Sequence, residues 1–142
     1  MTDDSLDTRL IELLMQNARL PTAVLARKLG VARSTVQARI DRLEATGVIT
    51  GYSARLGAAD TRVRAHVLIG VAPQQQVAVE AGLKRISAVV SLLSVSGPYD
   101  LIAVVAGPTT HDLDMALDQI RTIDGVRETM SSIILSRKFE RG

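Results

Sequence analysis

Two short helical segments joined by a glycine turn constrain this chain more than anything else in it. Residues 21–47 read PTAVLARKLGVARSTVQARIDRLEATG. The pattern predicts a first helix from about Thr22 to Leu29, closed by Gly30, which lacks a Cβ and takes the left-handed conformation readily. Pro21 fits just before or at the first position of that helix. A second helix is predicted from about Arg33 to Thr46, closed by Gly47. Helix, tight turn and second helix at this length is the layout of a helix-turn-helix, whose second helix enters the DNA major groove.

Charge and periodicity agree with that layout. Between residues 27 and 42 stand Arg27, Lys28, Arg33, Arg39 and Arg42, opposed only by Asp41. Val36, Ile40 and Leu43 recur at i, i+4 and i+7 and make one apolar face. Ser34, Ala38 and Arg42 point away from it, with Thr35 and Gln37 on the flanks. Small side chains allow close approach to base edges, and arginines meet phosphates. Arg33, Arg39 and Arg42 are therefore the expected phosphate contacts; Ser34, Thr35, Gln37 and Ala38 are the expected base-edge contacts. A competing role for Arg39 is an internal brace to an acidic residue. At the start of this helix Ala32 has no capping group, whereas Ser34 followed by Gln37 has the spacing of a capping box.

The remaining composition narrows the function. The core must be aliphatic, because Tyr52, Tyr99 and Phe139 are the only aromatic residues among 142. With no cysteine and two histidines, His66 and His111, neither a thiolate site nor an all-histidine metal site is available. No glycine-rich phosphate loop or HExxH motif occurs. His111, Asp112 and Asp114 fall at a helix start, where acids ordinarily complement the dipole. No catalytic residue, metal or cofactor is expected. No stretch approaches the ~18 apolar residues of a membrane span, and the acidic N-terminus is unlike a secretory signal. The expected location is the cytoplasm.

Taken in order, residues 3–16 predict a supporting helix carrying Leu6, Leu10, Leu13 and Leu14, with Asp3, Asp4 and Asp7 near its start. Residues 48–56, β-branched and broken by Gly51, predict a strand or wing. Residues 57–64 are polar and patternless. Then follow a strand at 65–72, a helix at 74–86, a strand at 88–96, a turn at Gly97-Pro98-Tyr99-Asp100, a strand at 101–106, a helix at 109–123 and a strand at 126–139. The order βαββαβ is that of a ferredoxin-like sheet with helices on one face. The expected fold is thus α+β: a helix-turn-helix (winged-helix-like) domain over 1–50, a strand and hinge over 51–64, and a ferredoxin-like α/β-sandwich over 65–142. An open sheet leaves a face and edges for a partner, and a two-fold would match two half-sites on DNA. A homodimer through the second domain is expected.

These residues resemble the Lrp/AsnC family, the feast/famine transcriptional regulators, over nearly the whole chain. The resemblance rests on Leu6-Asp7 with Ile11, Leu13 and Leu14; Asn17-Ala18-Arg19; Leu25-Ala26; and Gly30-Val31. It continues through Val36, Arg39-Ile40, Arg42-Leu43-Glu44, Gly47-Val48-Ile49, Gly51-Tyr52, then Gly97, Tyr99, Asp100, Thr129 and Ile133-Ile134-Leu135. Ala32 departs from the serine, and Arg33 from the proline, common at those positions. The resemblance implies a DNA-binding regulator that dimerises and often assembles further, into tetramers or octamers. It also implies a small effector, usually an amino acid, bound near Gly97, Tyr99, Asp100, Arg127, Thr129 and Ser131. A carboxylate such as Asp100 suits an ammonium, and hydroxyls of Thr129 or Ser131 suit a carboxylate. Two other functions fit the same residues: a sensing module that regulates a partner enzyme, and an architectural DNA binder without an effector.

Overall fold

The computed structural model describes residues 3–57 and 60–141. They fall into two compact units, the first of residues up to 55 with 140 and 141, the second of residues 56–139. The first unit holds three helices, α1 (Asp3–Gln16), α2 (Thr22–Leu29) and α3 (Arg33–Ala45). Leu6, Leu10 and Leu14 of α1, Leu25, Ala26 and Leu29 of α2, and Val36 and Leu43 of α3 share one buried cluster. A leucine stripe on α1 therefore supports both helices that follow it. Gly30 ends α2 with φ of 71°, and its N–H bonds to the Ala26 carbonyl.

The helix α3 starts at Arg33, as the pattern predicts, but without the capping box that Ser34 and Gln37 have the spacing for. Ala32 is the N-cap, in extended conformation, and no side-chain cap forms there. Ser34 lies inside the first turn, too late to accept from the amides that need a partner. Residues 48–56 are not a strand in the described structure: a turn and bend at 46–49 lead into irregular backbone. All the described strands lie between residues 63 and 133.

The second unit contains β1 (Val63–Val71), α4 (Gln76–Lys84), β2 (Val89–Ser94), β3 (Leu101–Gly107), α5 (Thr110–Arg121) and β4 (Val126–Ile133). The four strands form one antiparallel sheet in the order β2-β3-β1-β4. The last strand stops six residues earlier than the pattern suggested. Beyond Ile133 the Ile134 amide still donates to the Arg64 carbonyl.

Alternation sorts the sheet's two faces. Ala65, Val67, Ile69, Leu101, Ala103 and Val105 pack with Val79, Leu83, Leu113, Leu117 and Ile120 of the helices. On the opposite face the register aligns Leu93, Ile102, Leu68 and Met130 in one row across all four strands. Leu93 and Met130 in that row are more than half exposed, at 53% and 54%.

At the start of β1, Asp60 accepts from the Arg62 amide and side chain and from Arg64. Those hydrogen bonds hold its carboxyl below the usual carboxylate range. The clamp is fully formed above that range and is lost as pH falls through the lowered folded value.

Gly125 has φ of 101°, and a Cβ there would lie 2.8 Å from Gln75 Cβ and 2.9 Å from Val79 Cγ2. Gly51 meets nothing within 4 Å and has no such φ. Gly125→Ala is expected to destabilise the protein by about 1–3 kcal/mol through strain and overpacking. Gly51→Ala should be neutral or stabilising by up to about 1 kcal/mol. Urea unfolding of the two variants against the parent checks both.

Candidate DNA-reading helix and effector-domain residues

The side of α3 left over after Val36 and Leu43 are buried carries the residues expected to read DNA. Arg33, Ser34, Gln37, Ala38 and Arg42 are exposed, and Thr35 is half-buried. Their distribution follows from helix geometry, because an apolar pair seven residues apart fixes the helix's rotation on its support.

The arginines are not equivalent. Asp7 of α1 divides its carboxylate between two of them: Arg42 Nη2 donates to Oδ2 at 2.6 Å and Arg39 Nη1 to Oδ1 at 3.4 Å. The Arg39 side chain is only 17% exposed, whereas that of Arg42 is 50% exposed. Arg39 thus occupies the bracing position, and Arg42 keeps half of its side chain in solvent. Arg9 adds a tie between α1 and α2, donating to the Lys28 carbonyl at 3.1 Å. A further pair lies on the outer surface of α3, where Gln37 Nε2 donates to Asp41 Oδ1 at 2.8 Å. The i, i+4 spacing of Gln37 and Asp41 was visible in the sequence as a helix-surface contact. The partnership of Asp7 with α3 was not, since 32 and 35 residues separate the partners.

Near the far end of α3, Tyr52 has its phenol pushed up by burial and by the nearby Glu44 carboxylate.

In the second unit the expected effector residues lie on either side of β1. Gly97, with φ of 120°, belongs to the β2–β3 turn. Tyr99 in the same turn is half-buried. The Asp100 amide donates to the Ile69 carbonyl, its carbonyl accepts from Val95, and its Oδ2 accepts from the Val71 amide at 2.7 Å. Asp100 thereby fastens the hairpin turn to the end of β1. Across β1, Thr129 is the register partner of Ile69 and Ser131 that of Val67. Arg127 sits at the register shift where Gly70 faces Glu128 and Val71 faces Val126. Asp100 and Thr129 therefore meet the same β1 residue from opposite sides, while Ser131 lies two residues further along the sheet. Glu128 also enters this region, because its side chain lies over Gly70, with Cγ 3.1 Å from where a Cβ would stand.

Among the described residues no group of three or more His, Asp or Glu side chains could hold a metal ion. No described helix is long and apolar enough to cross a membrane.

Comparison with known proteins decides the class. Residues 4–44 match the AsnC-type helix-turn-helix domain and residues 64–142 match the Lrp/AsnC ligand binding domain. The chain belongs to the Lrp/AsnC family. It is similar to the transcriptional regulator LrpA1 of Halobacterium salinarum, with 31% identity, covering 96% of this chain and 99% of that one. The transcriptional regulator LysM of Saccharolobus solfataricus is 29% identical over 96% of each chain. Among solved structures, a feast or famine regulatory protein from M. tuberculosis complexed with L-methionine superimposes with a TM-score of 0.85 and 34% identity. That superposition covers 98% of this chain and 96% of the other. AsnC of E. coli gives a TM-score of 0.84 at 25% identity, covering 100% and 98%. This Lrp/AsnC chain is accordingly a DNA-binding transcriptional regulator with a ligand-binding domain, and the relatives it matches are regulators.

Removing Asp7 takes away a carboxylate that both Arg39 and Arg42 contact. Asp7→Ala is expected to lower stability by about 1–3 kcal/mol, more than Arg42→Ala, whose half-exposed side chain is well solvated. Denaturant unfolding, with Arg42→Ala as the milder comparison, checks this ordering.

Proposed function

We propose that this regulator binds duplex DNA through the outer side of α3 as a homodimer and is tuned by an amino acid held in its second unit. The observation that carries the DNA contact is the helix's own division of labour. Val36 and Leu43 face inward, while Arg33, Ser34, Gln37, Ala38 and Arg42 face outward, with Thr35 beside them. Arg33 and Arg42 serve the phosphates; Ser34, Thr35, Gln37 and Ala38 serve base edges; Arg39 holds the helix in place through Asp7. Its proposed location is the cytoplasm.

The proposed dimer contact is the open sheet face. The row Leu93–Ile102–Leu68–Met130 is apolar from edge to edge. Covering such a row removes apolar area from water at about 25 cal/mol per Å². A two-fold through it would give two reading helices for two half-sites. Tetramers or octamers would be built by further contacts.

For the effector, the M. tuberculosis relative's complex with L-methionine supports an amino acid. The groups available are Asp100 for an ammonium and the hydroxyls of Thr129 and Ser131 for a carboxylate, with Gly97, Tyr99 and Arg127 around them. Asp100 already accepts from Val71, and a carboxylate has lone pairs for further donors.

Two experiments check the proposal. Affinity for promoter-region duplex should fall linearly in log–log form with salt, and Arg33→Ala with Arg42→Ala should flatten the slope by about 0.9 per lost phosphate contact. No binding to any duplex at low salt would overturn it. In a thermal-shift screen of the common amino acids, one or more, with L-methionine the first choice, should raise the melting temperature. A ligand at 100 times its Kd adds about 2.7 kcal/mol to the folded state. Asp100→Ala should abolish the shift.

A further inference from the structure

An acidic residue on a DNA-facing helix needs a reason, because it repels the phosphates that the neighbouring arginines attract. Asp41 is such a residue: it is exposed and stands between Arg39 and Arg42. Gln37, one turn earlier, is a partner: its Nε2 donates to Asp41 Oδ1 at 2.8 Å. A carboxylate can only accept, so the amide's nitrogen rather than its oxygen must face it. The contact therefore settles which way the Gln37 amide is turned and uses one of its two N–H groups.

What remains on Gln37 is one N–H donor and the carbonyl acceptor. That pair is complementary to one base edge in the major groove. Adenine offers N7 as acceptor and N6–H as donor. Guanine offers two acceptors, N7 and O6, and would need both of the amide's N–H groups. Thymine O4 uses only the donor, and cytosine N4–H only the acceptor. Ser34 and Ala38, exposed on the same side of α3, are small enough to let Gln37 approach a base.

We infer that Gln37 reads an adenine in the major groove of each half-site and that Asp41 is its positioning residue, turning the amide so that adenine is accepted and guanine refused. This rests on the assignment of Gln37 to base edges above and adds to it the base and the device that selects it.

The test is a selection from randomised duplexes with the full-length protein, followed by competition between two duplexes that differ only by A·T or G·C at the selected position. The parent should show one adenine preference per half-site that Gln37→Ala removes, leaving the other positions and the salt slope unchanged. Asp41→Ala frees the second N–H and should reduce the adenine-over-guanine ratio at that position about tenfold, while overall affinity holds or rises. Asp41→Asn, which keeps an acceptor oxygen, should restore most of the ratio. Both side chains are exposed, and unchanged melting curves would show that the variants fold. If Gln37→Ala leaves every position unaltered, Gln37 does not read a base, whatever the arginines do. If Gln37→Ala relaxes the position but Asp41→Ala leaves the ratio intact, the positioning role is overturned and the base contact stands.

Discussion

The burial of Val36 and Leu43 governs everything the first unit presents to its surroundings. These two side chains, 1% and 5% exposed, seat α3 on the leucines of α1 and α2. Each buried aliphatic side chain of this size contributes about 1.5–3 kcal/mol. Two such contacts one heptad apart leave the helix no freedom to roll. Once its rotation is set, the outward residues are set too, without any interaction of their own being required.

Charge then refines what apolar packing begins. Asp7 gathers Arg39 and Arg42 onto one carboxylate, and Asp41 holds Gln37. The first contact lies largely under cover and fixes the helix against its support. The second lies in solvent, where a hydrogen bond between side chains adds only a few tenths of a kcal/mol to helix stability. With so small a gain in stability, orientation of the Gln37 amide is the more telling consequence of that pair.

In the second unit the same aliphatic economy operates on a sheet. One face is closed by α4 and α5, and the other keeps an unbroken apolar row. The turn at Gly97–Asp100 and the start of β4 approach the same stretch of β1, from Ile69 to Val71. A ligand placed there would touch residues that also maintain the sheet's register. Asp100 fastens the hairpin turn to this end of β1.

Local pattern was enough to determine the helices, the βαββαβ order and the glycine at the end of α2, because 3.6- and 2-residue periods and a missing Cβ act over a few residues. The outward set Ser34, Gln37, Ala38 and Arg42 was legible for the same reason. Where the outcome depended on a distant neighbour, the pattern fell short. Residues 48–56 have the composition of a strand, yet a strand exists only beside another. The final strand ends at Ile133, opposite Ala65 of β1, before its own apolar residues end at Leu135. Ser34 has a capping residue's chemistry but sits two positions too late to use it. Whether Arg39 would brace the fold or face solvent depended on Asp7, brought to it by the packing of α1 against α3. Sequence determined which groups the chain carries and their local spacing; only the tertiary structure decided which of them are neutralised by a partner far along the chain, since pairing of charges follows from distance in space.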